Sequence, residues 1–412
     1  MKKLYFLFIV VFVLSSKISL SQTWTQTLNG IAMWSVCKDN LGNIYAGSSG
    51  TVKAIYKTTN EGQNWLTLLT GSPSNFLGLS VDSLGNIFGA NVSNGVMKST
   101  DGGNNWVNIP ISAFGNKNVQ SIVCGKNGYV LVGCNNGGIF RSTDFGVTFP
   151  DTALTGITIV TLIGDRFNSN IFYAGASSTT GLTGLFISTN SGFSFSGPYN
   201  INSCWGVMQK SSSELYMVTT STGTPFTKST DGGYNWSTVS AQPGSMRGCS
   251  LDLAGNIYIN GNGGVFKSTN DGLSFTNTGI TASGNQIVSH GNKMYAALTG
   301  STTGGVWIFT DTTLTSVAPV TTGIPQNFEL KQNYPNPFNP VTTIEFSVPV
   351  TEFITVKIVD IMGREIEMPV NQIAKAGSYK FTFNSKGLSS GIYFYRLTSG
   401  KTNIQKRMIL LK

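Results

Sequence analysis

The chain has 412 residues, 49 of them Gly, with only 11% charged residues and a formal net charge of +9. So little charge among so many turn residues and short apolar runs excludes a helical bundle or a disordered chain and indicates an all-β protein of two or three domains. The charge is uneven: residues 1–21 carry a net of +3, residues 22–318 a net of +1 and residues 319–412 a net of +5, so the large middle region offers no basic stripe for nucleic acid.

Residues 1–21 read as a secretory signal. Lys2 and Lys3 supply the positive end, and Leu4 to Leu14 form an apolar core too short to anchor in a bilayer. Ser19 and Ser21 are small residues ahead of a cleavage site placed before Gln22, and no Cys follows that site. Nothing later in the chain is long and apolar enough for a transmembrane helix.

Residues 22–316 are organised around one phrase. It reads KSTDGGNNW from Lys98 and returns from Lys57, Arg141, Ile187, Lys228 and Lys267. Its acidic or amide position falls at Asn60, Asp101, Asp144, Asn190, Asp231 and Asn270, in steps of 41, 43, 46, 41 and 39 residues. A further step of 41 reaches Asp311, in a copy that lacks the final aromatic. A period of this length means stacked or radially arranged units. Ser-Thr-Asp-x-Gly is turn chemistry: the Asp or Asn accepts from backbone N–H groups two or three residues on, Gly supplies a positive φ, and the aromatic packs inward.

The phrase resembles the Asp-box (BNR) repeat of sialidase-type and related β-propellers. That resemblance implies a propeller and gives the seven Asp and Asn residues a structural role. A second phrase, such as LGNIYAG from Leu41, precedes each box and occurs seven times. Each unit therefore reads as four short strands, A to D, with the "GN" phrase in the AB turn and the box in the CD turn, giving a seven-bladed β-propeller. Thr23 to Leu28 resembles the strand that follows each box and is expected to complete the last blade; residues 312–317 are the alternative.

With strand A starting at the top, the AB and CD turns lie at the bottom, and every propeller carboxylate but Asp151 falls in them. Asp151 is expected at the top, in a DA loop. Glycoside hydrolysis needs two carboxylates about 5–10 Å apart, and sialidase-like sites also need an arginine cluster. The propeller has only Arg141, Arg166 and Arg247, and only Arg247 could reach the top. His290 reads as a solvated turn residue. Cys37, Cys124, Cys134, Cys204 and Cys249 read as small buried hydrophobes without metal-ligand spacing. No metal or cofactor is expected. Alignment on the "GN" phrase places Trp34, Leu77, Gln120, Thr161, Trp205, Arg247 and Asn285 around the upper channel. Trp34, Gln120, Trp205 and Arg247 are the candidate ligand residues, the tryptophans stacking on a sugar or gripping a peptide; alternatively the tryptophans plug the channel or pack between blades.

Residues 317–327 read as a Pro/Thr linker, and residues 328–412 as a β-sandwich, Ig-like, of about seven strands. The words Tyr334-Pro335-Asn336-Pro337, Gly363-Arg364-Glu365 and Gly391-Ile392-Tyr393 closely resemble the type A C-terminal sorting domain of the type IX secretion system of Bacteroidota and their relatives. The resemblance implies export through the periplasm, recognition by the type IX machinery, and release or attachment to surface lipopolysaccharide. The expectation is a secreted or surface protein whose non-catalytic propeller binds a polysaccharide or protein partner; the alternative is a glycoside hydrolase of the Asp-box propeller type.

Overall fold

The computed structural model describes residues 24–310 and 325–411, apart from 178–180, 221, 222, 224, 253, 301, 351, 375, 386, 387 and 401. The expected signal segment, Asp311 and most of the expected linker lie outside the described residues. The repeat region forms seven antiparallel sheets, numbered here as blades one to seven in chain order. In blade two the strands Phe76–Val81, Ile87–Asn91, Gly95–Ser99 and Val107–Ile109 pair in sequence. Blade four has three strands, with a single bridge from Ile187 to Ser196 in place of the fourth.

The ring closes with strands from both ends of the repeat region, as the sequence leads one to expect. Trp24–Thr27 is the outermost strand of blade seven and pairs with Gly305–Thr310, with Trp24 opposite Phe309. Closure removes a free sheet edge that would otherwise pair with another chain.

Apolar burial lies between blades. Phe88 and Val96 of blade two pack against Val119 and Ile122 of blade three. Tyr295 and Val306 of blade seven pack against Val36 and Tyr56 of blade one. The box turns lock these contacts. In blade two the Ser99 hydroxyl donates to Asp101 and accepts from the Gly103 N–H at 2.8 Å. Asp101 accepts from the Asn105 N–H at 2.9 Å, and Trp106 donates its indole N–H to the Leu68 carbonyl of blade one. The box carboxyl or amide thus reaches four residues on in all six described copies, with a three-residue contact added at Asp144 and Asp231. That is longer than the two-to-three-residue reach expected from simple turns, because the hydroxyl two residues earlier already holds the glycine N–H.

The "GN" turns work similarly. Asp39 accepts from the N–H groups of Leu41 and Asn43 and from the Asn43 side chain; Asp82 and Asp252 repeat the arrangement. A cation near the end of the third strand lies over a second-strand aromatic, as in Lys57 over Tyr45, Lys98 over Phe88 and Lys267 over Tyr258. These recurring charges belong to the blade framework.

Residues 329–410 form two packed sheets. Glu329–Leu330, Val341–Val348 and Gly377–Asn384 make one; Glu365–Ala374, Glu352–Val359, Gly391–Ser399 and Thr402–Leu410 make the other. Alternate residues such as Ile344, Phe346, Val356, Ile358, Tyr395 and Leu397 fill the space between them.

The motif residues pin this sandwich. Asn336 accepts from the Ile409 N–H at 2.9 Å, and Phe338, which follows Pro337, exchanges backbone bonds with Ile409 and Leu411. The segment through Pro335 and Pro337 is thereby laid on the end of the terminal strand, while the Tyr334 side chain stays exposed. Gly363, at φ 79°, turns the chain under Asp360, which accepts from the N–H groups of Met362 and Arg364. Glu365 pairs with Lys357 at 2.8 Å, Gly391 opens a strand, and the Tyr393 hydroxyl donates to the Ser389 carbonyl.

Candidate functional site

The first strand of each blade lines the central channel, and in six of the seven it carries a bulge near its upper end. Register shifts fall at Trp34, Leu77, Gln120, Val160, Arg247 and Asn285. Trp205 precedes the first paired residue of blade five, and its N–H donates to the Val218 carbonyl. A bulge leaves one residue outside the ladder and re-aims its side chain. Six of the seven positions expected at the upper channel therefore lie in this ring. Thr161 does not: it is laddered opposite Gly175, and Val160 takes the bulge. The cause is one extra residue in the blade-four turn, where Asp165 stands six residues before Ile171 while Asp39 stands five before Ile44.

The fold brings Trp34, Trp205 and Arg247 together. The Arg247 guanidinium carbon lies 5.8 Å from the Trp34 ring centre and 5.7 Å from that of Trp205. Its Nη1 donates to Asn285 at 3.2 Å, while its Nε is buried with no hydrogen-bond partner. Burial lowers the Arg247 pKa from its ordinary value. The Trp205 indole N–H donates to Ser177 at 2.8 Å. Gln120 stands half-buried in the same ring.

Below them lies a cavity of 480 Å³, with Trp205 and Arg247 at its upper end and Lys38 and Arg166 at its lower end. Among the described residues no Asp or Glu lines it. Lys38 donates to the Ser289 carbonyl at 2.7 Å; desolvation by the surrounding strands and the nearby Arg166 charge lower its pKa to about 8.

Asp151 does not lie at the top. It opens the strand Asp151–Ala153 and stands opposite Arg141, with which it forms an ion pair. Arg141 immediately precedes the box serine, so this pair belongs to the lower part of blade three. The sequence places Asp151 in a loop because the strand it opens is only three residues long. The other described propeller carboxylates sit in AB and CD turns.

Two carboxylates do meet at the lower end. Glu214 and Asp271 both accept from the Tyr216 hydroxyl, and Lys228 reaches both, as does Lys210. Burial opposes the Asp271 charge, but hydrogen bonds from Lys210, Lys228 and Tyr216 outweigh it and hold this carboxyl well below the usual range. A general acid needs a raised pKa, so this cluster is built as an ion-pair lock between blades five and six.

His290 differs from its expected turn position. It ends the strand Gly284–His290, paired with Lys293, and packs against Gly42 of blade one; burial lowers its pKa. The five cysteines are free thiols, and burial pushes Cys124 and Cys134 up to about 12. Among the described residues no group of three or more His, Cys, Asp or Glu is placed to hold a metal ion.

Residues 332–411 match the family described as the secretion system C-terminal sorting domain. The C-terminal sandwich is therefore a type IX sorting domain, and the protein is exported to the cell surface or beyond. No curated protein matches the chain. Among solved structures, YCF48 bound to D1 peptide aligns with a TM-score of 0.56 and 15% identity over 70% of this chain and 96% of that one. The extracellular domain of a hybrid two component system from B. thetaiotaomicron aligns with a TM-score of 0.54 and 14% identity, over 94% of this chain and 57% of that one. The GH74 enzyme of Niastella koreensis aligns with a TM-score of 0.51 and 15% identity, over 79% and 59%. The chain thus spans well under two thirds of the last two. These likenesses show the propeller fold, which both enzymes and binding proteins use.

Proposed function

We propose that the propeller is a non-catalytic binding module, carried to the outer surface or the medium by its sorting domain, with its ligand site at the upper mouth of the channel. The observation that carries this reading is the cluster of Trp34, Trp205 and Arg247, three residues outside the blade framework gathered above one cavity. Half-buried aromatic rings with one unspent cation suit recognition. The non-enzymatic part rests on the lower placement of every described propeller carboxylate and on the ion-paired state of Glu214 and Asp271. Residues 22–316 as propeller and 328–412 as a type A sorting domain complete the proposed organisation, with surface lipopolysaccharide as a proposed attachment point. A glycan array with product analysis, run on the exported protein and on Trp34→Ala/Trp205→Ala, tests the reading. Binding of an intact glycan by the wild type only supports it. Cleavage of a bound glycan, or retention of binding by the variant, overturns it.

A further inference from the structure

We infer that the upper mouth takes an acidic polysaccharide and reads its carboxylates through Arg247. This rests on the proposed binding role of the mouth and adds the chemistry of the ligand.

The first support is charge polarity. The propeller is close to neutral in sum, yet its described carboxylates are confined to one end. Described carboxylates lie in the lower turns or, for Asp151, beside a lower turn. The upper loops hold Lys53, between Ile44–Ser48 and Ile55–Thr58, and Lys117, between Val107–Ile109 and Val119–Cys124; Arg247 stands at the mouth itself. An approaching polyanion meets cations with no described acid among them, and such a field selects ligands by sign.

The second support is the state of Arg247. It lies over aromatic rings of two other blades, Trp34 and Trp205, and no carboxylate pairs with it among the described residues. Asn285 is an amide and leaves the charge uncompensated. A guanidinium presents a planar fork suited to a bidentate carboxylate. Here the hydrogen bond to Asn285 engages Nη1, and the buried Nε has no acceptor of its own. The neighbouring indoles set apolar surface beside the guanidinium. A pyranose ring bearing a carboxylate matches both parts. A glutamate side chain, with its carboxylate on a flexible stem, matches only one.

The test compares binding of the exported protein to polygalacturonate and to its carboxyl-reduced, neutral form. The wild type is expected to bind the acidic form at least about tenfold more tightly at low salt, and Arg247→Gln to lose about tenfold or more on that form alone. Arg247→Lys, which keeps the charge without the fork, is expected to fall between them, and added salt to narrow the difference. Thermal melts establish that each variant folds; should Arg247→Gln unfold, Arg247→Lys carries the comparison. Equal affinity for both polymers, or unchanged acidic binding by a folded Arg247→Gln protein, overturns the inference. If neutral glycans bind in a Trp34- and Trp205-dependent manner, this inference falls while the binding module stands. If only polyglutamate binds, the ligand is an acidic peptide and the inference falls. If none of these polymers binds, the inference falls, and the binding-module reading is decided by its own array.

Discussion

Arg247 of blade six lies over the ring of Trp205 in blade five, at 5.7 Å, and over that of Trp34 in blade one, at 5.8 Å. A cation over two aromatic rings is attracted to both, and partial burial strengthens the effect. Replacing Arg247 with Met keeps most of the volume and removes the charge. We expect a loss of about 0.5–2 kcal/mol in unfolding free energy, together with a changed tryptophan emission maximum. Urea titration and fluorescence spectra check this; an unaltered spectrum would mean that the cluster does not persist in solution.

The box glycines make a second, sharper expectation. Gly103 has a φ of 101°, and a Cβ there would stand 2.7 Å from Leu68 Cδ1. Gly103→Ala is expected to cost about 2–4 kcal/mol, from left-handed strain plus overpacking. Gly102, at φ 77°, has open space where a Cβ would point and should lose only the strain part, about 1 kcal/mol. Ser99→Ala leaves the buried Gly103 N–H without its acceptor and should cost about 1–3 kcal/mol. Parallel thermal melts of the three variants rank these costs directly.

Acid sensitivity should follow the boxes that carry Asp. Hydrogen bonds from the Asn105 backbone and side chain hold Asp101 at about 2, and those from Asn235 do the same for Asp231. At Asp144 burial opposes the charge, yet Thr148 and Ser142 bring it to about 2. These values lie below the ordinary 3.8. A depressed carboxyl stabilises the fold above its unfolded pKa and ceases to do so as the pH falls through its folded pKa. The stabilisation is therefore complete above about pH 4 and lost toward pH 2. Asn60, Asn190 and Asn270 already perform the turn without charge. The triple variant Asp101→Asn/Asp144→Asn/Asp231→Asn should accordingly show a flatter melting temperature between pH 4 and pH 2; an unchanged slope would refute the assignment.

Much of this architecture is legible in the sequence, and the parts that are not have identifiable causes. The repeat period fixes seven blades, and the likeness of Trp24 and Thr25 to the strand after each box foretells the closing pair with Phe309 and Ile308. The ring of Trp34, Gln120, Trp205 and Arg247 follows from one alignment. It slips at Thr161 because the blade-four turn holds one more residue than its counterparts. Asp151 is misplaced because three residues of strand leave no periodic pattern to read. The Arg247 cluster itself could not be foreseen, since its members lie on three blades and only the curvature of the ring brings them together.

Closure of the ring supplies a stability test. Removing residues 24–28 exposes the Gly305–Thr310 edge and strips Trp24 from Phe309, whose ring centres are 5.4 Å apart. The truncated protein should melt lower and self-associate with concentration, as a free edge does. Light scattering across a dilution series reads this; a monomeric, equally stable truncation would argue against the strand's role.

Export should depend on how the motif segment holds the terminal strand. Asn336→Ala removes the acceptor for the Ile409 N–H and is expected to loosen the last strand while leaving the propeller folded. The exposed Tyr334 side chain makes a useful contrast, since Tyr334→Ala removes little packing. Fractionation of cells should find Asn336→Ala protein retained in the periplasm; full export of that variant would separate the motif from strand anchoring.

The position of a bound ligand separates the upper mouth from the lower turns. A crystal structure of the exported protein with a bound acidic oligosaccharide should place a uronate carboxylate against Arg247, with its sugar ring beside Trp34 or Trp205. A ligand seated instead at the lower turns, beside Glu214 and Asp271, would contradict the upper-mouth site and return the hydrolase reading to the front.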